Sequence, residues 1–253
     1  MHPDLISLIV FACVFGGALL GMFLGSVTPE HHLSEQSKDV IKLGMGLIAT
    51  LAALVLGLVI ASAKSSYDLQ ELSVKQMAAK VLLLDRELAE FGQEAKEPRD
   101  LLRRTVRYRL DTIWPEECSQ PASSVVSEEI PQAERVEGMI RQLTPRDDNQ
   151  RGLQARALDV VSQIMETRWF VLGGAGSSVS PPFLIVVVFW LTVIFASFGL
   201  FAPRNTTVIV VLLVCAMSVA GAIFLILEMD QPFRGVMKIS SAPLRYVISH
   251  LNP

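Results

Sequence analysis

Three arginines that recur at every fourth position are the residues of this chain whose type and spacing best suit ligand binding. Arg99, Arg103 and Arg107 share one face of a predicted amphipathic helix. Guanidinium groups in a row could concentrate anions or hold lipid headgroups. Asp100 and Asp111 lie close in the sequence, so a solvated or salt-bridged face is the competing interpretation.

A histidine pair and three cysteines are the other groups that could bind a metal or react. No Cys or third His lies near His31-His32 in the sequence, so we expect no metal site there. Cys13, Cys118 and Cys215 are scattered singly and form neither a CxxC pair nor a disulfide framework. The sequence therefore predicts no metal and no cofactor.

The sequence contains none of the common catalytic motifs that we sought. It has no Gly-x-Ser-x-Gly, no His-Glu-x-x-His and no acidic metal cluster. The glycine run at 173–178 lacks the Gly-Lys-Ser/Thr ending and the preceding strand of a phosphate loop. We expect no catalytic residues and no enzyme activity.

The uneven distribution of charge along the chain predicts the structural elements that position these residues. The 253 residues are 51% hydrophobic and 19% charged, which is too apolar for a small soluble core. Sixteen of 22 Lys and Arg lie between Lys64 and Arg168, and 19 of 25 Asp and Glu lie between Asp68 and Glu166. The polar middle segment is a separate unit, and its balance of −3 does not indicate nucleic-acid binding.

Four charge-free runs predict four transmembrane helices, at residues 5–26, 43–63, 181–202 and 206–227. At about 1.5 Å per residue, each run is long enough to cross the hydrocarbon of a bilayer. Only Pro203-Arg204-Asn205 separates the last two, which predicts a tight antiparallel hairpin. Because no run carries a carboxylate, His or Lys, an ion-coupled transporter is not expected, and a channel or a non-conducting scaffold remains.

Lys and Arg near the span ends predict the orientation of the chain. They are denser on the side shared by the middle segment and the C-terminus, at Lys64, Lys75, Lys80, Arg168, Arg234, Lys238 and Arg245, than on the other side, at Lys38, Lys42 and Arg204. We expect a multi-pass inner-membrane protein with both termini in the cytoplasm.

Small residues recur along one face of the first predicted span, at Gly17, Gly21 and Gly25. Such spacing lets another helix backbone approach closely inside a membrane. The pattern indicates proximity without saying which chain is near, so packing within the chain and a contact between subunits both remain open.

The middle segment reads as a set of helices. One helix is predicted to run on from the second span to about Phe91-Gly92, with a packing seam at Met77, Val81, Leu84, Leu88 and Phe91. A second helix would bury Leu102, Val106, Leu110 and Ile113, a loop would cover 116–131, and further helices would cover 133–143 and 151–171. The predicted domains are membrane helices at 1–66, a cytoplasmic helical domain at 67–178, a membrane hairpin at 179–229 and a cytoplasmic segment at 230–253.

The chain resembles the bacterial bestrophin-like domain family, which is similar to the bestrophin anion channels. The resemblance rests first on the order of the elements, with two spans, a helical insert and then two more spans. It also rests on short sequence matches at Leu56-Gly57, Ala61-Ser62-Ala63, Tyr67-Asp68, Arg107-Tyr108, Trp114 and Gln231-Pro232-Phe233-Arg234-Gly235. The last element, with Pro232, Phe233 and Gly235, resembles the Pro-Phe-Gly segment that follows the fourth span of bestrophins. A simple proline stop after a helix is the alternative.

This resemblance implies an all-α, bestrophin-like membrane protein that assembles in the lipid bilayer as a homo-oligomer, with a pentamer as the candidate assembly. The second helix of each subunit would line a central pore for small inorganic anions. The expected lining residues are Thr50, Leu54 and Leu58, and because the span is apolar all round, Leu47, Leu51 and Val55 form an equally plausible stripe. No aromatic residue occurs at 43–63, unlike the neck of many bestrophins.

Two further expectations concern regulation and the alternative function. Bestrophins gated by calcium follow Pro-Phe-Gly with clustered acids, whereas this chain has Val236-Met237-Lys238-Ile239, so calcium gating is not expected. The alternative is a non-conducting scaffold or signalling protein that binds a partner through its cytoplasmic helices. The seam from Met77 to Phe91 is the surface that such a partner would use.

Overall fold

The computed structural model describes residues 3–27, 35–114, 129–173, 181–233 and 235–251. For residues 35–38, 129–133 and 168–173 it describes the backbone alone. The His31-His32 pair, Cys118 and most of the predicted loop at 116–131 lie outside these residues, as does most of the glycine run that begins at Gly173.

The described residues form eight α-helices and one short 3-10 helix at Gln93–Ala95, and none of them forms a strand. The α-helices are α1 (Pro3–Val27), α2 (Glu35–Phe91), α3 (Lys96–Ile113), α4 (Glu129–Gln142), α5 (Asp148–Gly173), α6 (Pro181–Phe201), α7 (Thr206–Met229) and α8 (Ala242–His250). Four of them, α1, α2, α6 and α7, contain stretches long and apolar enough to span a membrane. The predicted all-α fold with four spans is confirmed.

The chain divides into two compact units. The membrane unit comprises Met1–Tyr67 and Ser177–Met237, and the inserted unit comprises Asp68–Gly176 and Lys238–Pro253. In the membrane unit, α1 packs along both α6 and α7. Its core is built from apolar side chains of all four spans, including Val14, Phe195, Ile223 and Ala63.

The connection between α6 and α7 is as short as the sequence predicts, since α6 ends at Phe201 and α7 begins at Thr206. The side-chain oxygen of Asn205 accepts a hydrogen bond from the backbone N–H of Val208 at 3.2 Å, which caps the start of α7. Nη2 of Arg204 donates to the carbonyl oxygen of Met22 at 3.1 Å. This turn is therefore also bonded to α1.

The glycine stripe of α1 packs within the chain. A Cβ added at Gly21 would fall on the backbone of Ala196, and one at Gly25 would lie 2.6 Å from the carbonyl oxygen of Leu200. A Cβ at Gly17 would lie 2.9 Å from the carbonyl oxygen of Thr192. The three glycines therefore let the α1 and α6 backbones approach closely, and packing inside the chain is confirmed over a subunit contact.

In the inserted unit, the seam of α2 is buried. Val81, Leu84, Leu88 and Phe91 are almost fully buried, and Met77 is half-buried. The helix ends where glycine was expected to end it, since Gly92 has a φ of +113° that side chains rarely adopt. The predicted continuous helix from the second span to Phe91 is confirmed.

The predicted helices after α2 are also present, with their ends shifted by a few residues. In α3, Leu102, Val106 and Leu110 are buried as expected, whereas Ile113 is half-buried. Helix α4 covers Glu129–Gln142 and α5 covers Asp148–Gly173, close to the predicted 133–143 and 151–171. The last helix, α8, packs on α3 through buried Leu244 and Val247.

Candidate functional site

The membrane part of α2 is the span least covered by its own chain. Only 6% of the residues in its most apolar window are buried, against 33% in α1 and 22% in each of α6 and α7. Its covered side follows a helical repeat through Ala52, Leu56, Val59 and Ala63, which are buried or packed against the core. The remaining faces of this segment are largely uncovered by the residues that the structure describes.

The predicted lining residues lie on the side of α2 opposite that covered side. Successive helical residues are rotated by about 100°, so Thr50, Leu54 and Leu58 lie about half a turn away from Ala52 and Ala63. All three are exposed, Leu54 by 62% and Leu58 by 64%. The Thr50 hydroxyl donates to the carbonyl oxygen of Leu47 at 2.7 Å, so its proton is engaged within the helix.

The alternative stripe lies closer to the covered side. Leu47 and Leu51 are exposed, but Val55 is half-buried because the helical repeat brings it towards the face that packs on the membrane core. A pore lined by this stripe would have to use a residue that the chain already partly covers. The exposure pattern therefore favours the row at Thr50, Leu54 and Leu58.

The three arginines of α3, Arg99, Arg103 and Arg107, do not share one environment. Arg99 forms a two-pronged salt bridge with Asp85 of α2, with Nε to Oδ1 at 2.8 Å and Nη2 to Oδ2 at 3.1 Å. The hydrogen bond to Asp85, helped by the charges of Asp85 and Asp100, raises the pKa of Arg99 above its usual value, although burial opposes the shift. Arg99 therefore joins α3 to α2 inside the inserted unit.

The other two arginines have different surroundings. Nη1 of Arg103 lies 3.9 Å from Oδ1 of Asp100, and its buried Nε has no hydrogen-bond partner among the described residues. Arg107 is exposed. Binding of anions or lipid headgroups by the row stays a prediction, and Arg107 is the member whose side chain is most accessible to such a ligand.

The turn after α7 is organised by a residue that the sequence analysis did not single out. Glu228 is only 4% exposed, and its Oε2 accepts hydrogen bonds from the backbone N–H of Val236 at 2.5 Å and of Met237 at 3.2 Å. Its signal in the sequence is a carboxylate that directly follows an apolar span and precedes Gly235 by seven residues. The predicted span ends at Leu227, one residue before this carboxylate.

The segment after the fourth span that contains Pro232, Phe233 and Gly235 folds against the Glu228 carboxylate. Pro232 is buried, Phe233 is half-buried, and Gly235 is exposed with a φ of +84°. A Cβ at Gly235 would fall on the carboxylate oxygens of Glu228. The motif is therefore a folded turn held by Glu228, which is more than a proline stop after a helix.

Trp114 has a specific structural role in the inserted unit. Its Nε1–H donates to the carbonyl oxygen of Ile239 at 2.8 Å, in a buried position just beyond the end of α3. This bond holds the segment before α8 against α3. From the sequence, Trp114 is expected only as part of the family pattern, and its partner Ile239 lies 125 residues further along the chain.

Comparison with known proteins decides the family. The model of the bestrophin-like domain family matches residues 12–244. The chain belongs to the bestrophin-like family. No curated protein matches this bestrophin-like chain.

Solved structures share the fold of this bestrophin-like chain at low sequence identity. A point variant of a bacterial bestrophin homologue from Klebsiella pneumoniae has a TM-score of 0.60 and 14% identity, over 94% of this chain and 97% of that chain. Another point variant of a Klebsiella pneumoniae homologue has a TM-score of 0.56 and 14% identity over the same shares. A structure described as a membrane protein variant has a TM-score of 0.60 and 13% identity over 97% of both chains.

Membership in the bestrophin-like family supports an ion-channel kind of function. The family is of the channel type and is not enzymatic. The apolar helices are consistent with a location in a lipid bilayer. Within the part of the chain that the structure describes, no group of three or more His, Cys, Asp or Glu could hold a metal ion.

Proposed function

We propose that the protein is a homo-oligomeric channel that conducts small inorganic anions through a pore lined by the membrane part of α2. The observation that carries the proposal is the exposed row of Thr50, Leu54 and Leu58, which lies opposite the side of α2 that its own chain covers. In a bestrophin-like assembly, such a row would face the symmetry axis of several copies. A pentamer is the assembly that the resemblance implies.

The chemistry of this row fits passive conduction. Leucine side chains around a narrow axis form a hydrophobic constriction, which can gate by expelling water. The residues at 43–63 include no carboxylate, so they cannot supply the ring of Asp or Glu with which many channels attract cations. The leucines support gating at Leu54 and Leu58, the lack of an acidic ring removes one source of cation preference, and the anion assignment itself rests on the resemblance to bestrophins.

The proposed location is the inner membrane of a bacterium, with both termini in the cytoplasm. The excess of Lys and Arg flanking the spans on the side of the inserted unit and the C-terminus supports this orientation. The inserted unit would then lie in the cytoplasm. The exposed Arg107 could meet anions or lipid headgroups there.

Purified protein in planar lipid bilayers tests the proposal. We expect a steady conductance whose reversal potential, under a gradient of potassium chloride, follows the chloride equilibrium. Leu54→Ala and Leu58→Ala remove bulk from the constriction and should raise the conductance. The matched control is Leu20→Ala, because Leu20 of α1 is also 62% exposed and lies outside the proposed pore.

Two results would count against the channel. One is silence of the wild-type protein and of both pore variants across salts and voltages. The other is a reversal potential that follows potassium, which would remove the anion assignment. Native mass spectrometry of the detergent-solubilised protein measures the number of copies and so tests the pentamer separately.

The alternative function, a non-conducting scaffold that binds a partner through the seam from Met77 to Phe91, is not supported by the burial of that seam. Leu84 and Leu88, which a partner was expected to contact, are 1% exposed inside the inserted unit. Making them polar would disrupt that core and would not report on a partner. No other contact in the described residues favours this alternative over conduction.

A further inference from the structure

A small apolar groove lies between α6 and α7, next to the turn that joins them. Its volume is about 200 Å³. Its lining comes from α6, from the residue just after α6 and from the first part of α7: Phe198, Ala202, Thr207, Val208, Val211 and Leu212. Thr207 has the one polar side chain of this set. The groove therefore belongs to a single hairpin of the membrane unit.

The burial and size of the groove suit a lipid tail. Leu212 is 7% exposed, whereas Phe198 and Val211 are 53% and 54% exposed, so the groove is closed at its base and open at its edges. Both helices are long and apolar enough to span a membrane. An unfilled groove there loses the dispersion contacts of the atoms that line it. Its volume is below the roughly 300–1,000 Å³ of pockets that enclose drug-sized ligands, so a narrow chain fits it best.

The turn beside the groove lies at the depth of the lipid headgroups. Helix α6 ends at Phe201 and α7 begins at Thr206. Two consecutive spans reverse direction outside the hydrocarbon, because an irregular backbone exposed to lipid tails would leave polar groups unsatisfied. Arg204 is exposed in this turn. Its side chain is therefore at the level where basic residues meet lipid phosphates.

Arg204 gives this turn a positive charge, with no acidic residue on the same hairpin. No Asp or Glu occurs between Glu166 and Glu228. The bond from Nη2 to the carbonyl oxygen of Met22 at 3.1 Å uses one guanidinium N–H and holds the side chain at the turn. The start of α7 adds partial positive charge, because the backbone amides of a helix point towards its first turn. The turn therefore suits an anionic headgroup.

The charged turn and the apolar groove match the two parts of one molecule. A phospholipid joins a phosphate to apolar tails through a short glycerol backbone. The groove reaches Ala202 and Thr207, which lie two and three residues from Arg204 along the chain. A free phosphate would use the charge alone, and a neutral lipid would use the groove alone. An anionic phospholipid uses both.

We propose that the hairpin of α6 and α7 binds an anionic phospholipid, with the phosphate at Arg204 and one acyl chain in the groove between Phe198 and Val211. The acyl chain fills the space over Leu212, and the guanidinium group neutralises the phosphate at the membrane surface. All of the residues involved lie in the membrane unit of one chain. The site does not depend on whether the protein conducts ions.

Lipid titration followed by native mass spectrometry tests the headgroup contact. The protein in detergent is titrated with phosphatidylglycerol or with phosphatidylcholine that carries the same acyl chains, and the bound lipid is measured. We expect the wild type to bind phosphatidylglycerol more tightly. Arg204→Gln should weaken the binding of phosphatidylglycerol by about fivefold, the effect of one basic residue near an anionic lipid, and should leave phosphatidylcholine unchanged.

Two further variants separate charge from other effects. Arg204→Lys keeps the positive charge and should retain most of the preference for phosphatidylglycerol. Lys42→Gln is the matched control, because it removes an exposed basic residue near the start of another span that already pairs with Asp39 at 3.8 Å. It should leave both affinities unchanged. Melting temperatures in detergent without added lipid report the separate effect of losing the bond to Met22.

Filling the groove tests the acyl chain. Ala202→Leu adds bulk at the end of the groove and should weaken the binding of both lipids, because the tail loses part of its space. Ala12→Leu is the matched control, since Ala12 is an exposed alanine of α1 that does not line the groove. It should leave the binding of both lipids unchanged.

Four outcomes would overturn the lipid site. Equal affinity of the wild type for the two lipids, or a preference that survives Arg204→Gln, removes the headgroup contact. Binding that Ala202→Leu leaves unchanged removes the groove. If inorganic phosphate raises the melting temperature as much as phosphatidylglycerol does, the turn binds a free anion and the lipid assignment is lost. None of these outcomes alters the conductance test, so the channel proposal stands or fails separately.

Discussion

Gly235 lies directly against the carboxylate of Glu228, at a distance that leaves no room for a side chain. The two residues are brought together by a turn in which Glu228 accepts the backbone N–H of the two residues after Gly235. The left-handed backbone at Gly235 and the buried carboxylate are thus parts of one arrangement. Three of the matched motif residues, Pro232, Phe233 and Gly235, lie within this turn.

We expect Gly235→Ala to destabilise the protein. The left-handed backbone alone costs a non-glycine residue about 1–2 kcal/mol, and the new methyl group would push against Glu228. Thermal unfolding in detergent measures the effect. Gly138→Ala is the control, because Gly138 lies in α4 with open space around it, and there alanine should stabilise the helix by about 0.5–1 kcal/mol.

We expect Glu228→Gln to weaken the same turn by about 1–2 kcal/mol, because it replaces charge-assisted hydrogen bonds with neutral ones. Hydrogen exchange at the amides of Val236 and Met237 should accelerate. Unchanged exchange at both amides would contradict the role assigned to the Glu228 carboxylate.

We expect Gly21→Ala to separate α1 from α6. A methyl group there would overlap the backbone of Ala196, which cannot move without shifting α6, and overpacking of this kind costs about 1–3 kcal/mol. The melting temperature in detergent should fall. Gly16→Ala, in the same helix but with nothing near its Cβ position, should leave it unchanged or slightly raised.

We expect Asp85→Asn to destabilise the inserted unit strongly. It removes the charge from the carboxyl group that pairs with the part-buried Arg99, and losing charge-assisted hydrogen bonds of this kind costs about 1.5–3 kcal/mol. Arg141→Gln is the control, because it removes an exposed pair with Glu137 whose contribution is about 0–1 kcal/mol. Equal losses in the two variants, measured by denaturant unfolding, would show that the Arg99 pair is no more important than a surface pair.

The same pair sets a pH expectation. The pKa of Arg99 is raised in the folded protein, so its contribution to stability is fully present below the unfolded pKa of arginine, which is itself far above neutral pH. That contribution is lost only as the pH rises through the still higher folded pKa. Between pH 7 and pH 10, the stability difference between the wild type and Asp85→Asn should therefore not change through titration of Arg99.

We expect Trp114→Phe to cost about 1–3 kcal/mol, because it leaves the buried carbonyl oxygen of Ile239 without its donor. The loss should appear in thermal unfolding and as faster proteolysis of the segment before α8. Wild-type protection of that segment in the variant would contradict the importance of this bond.

The four spans could be predicted because their signal is local. Each is a run without charge that is long enough for a bilayer, and Gly92 supplied a local stop for α2. The glycine stripe of α1 also gave a sound prediction of close packing. Its partner could not be derived, because spacing on one helix carries no information about which backbone approaches it.

The site was harder to predict for a related reason. The partner of Arg99 is Asp85, on another helix, and the partners of Glu228 are backbone amides beyond a turn. Neither pairing leaves a periodic pattern in the sequence. The face of α2 at Leu54 was equally hidden, because the span is apolar all round and only the packing of Ala52 and Ala63 distinguishes its sides.

Helix α2 contains no proline between Glu35 and Phe91 and is unbroken over its 57 residues. At a rise of about 1.5 Å per residue, its membrane part at 43–63 covers about 30 Å. Sharp helix kinks almost always need a proline, a Gly/Ser pair or a bulge in the hydrogen-bond ladder. Motion at the proposed pore row would therefore be expected as a tilt, slide or rotation of the membrane part of α2 as a whole, in which Leu54 and Leu58 move together.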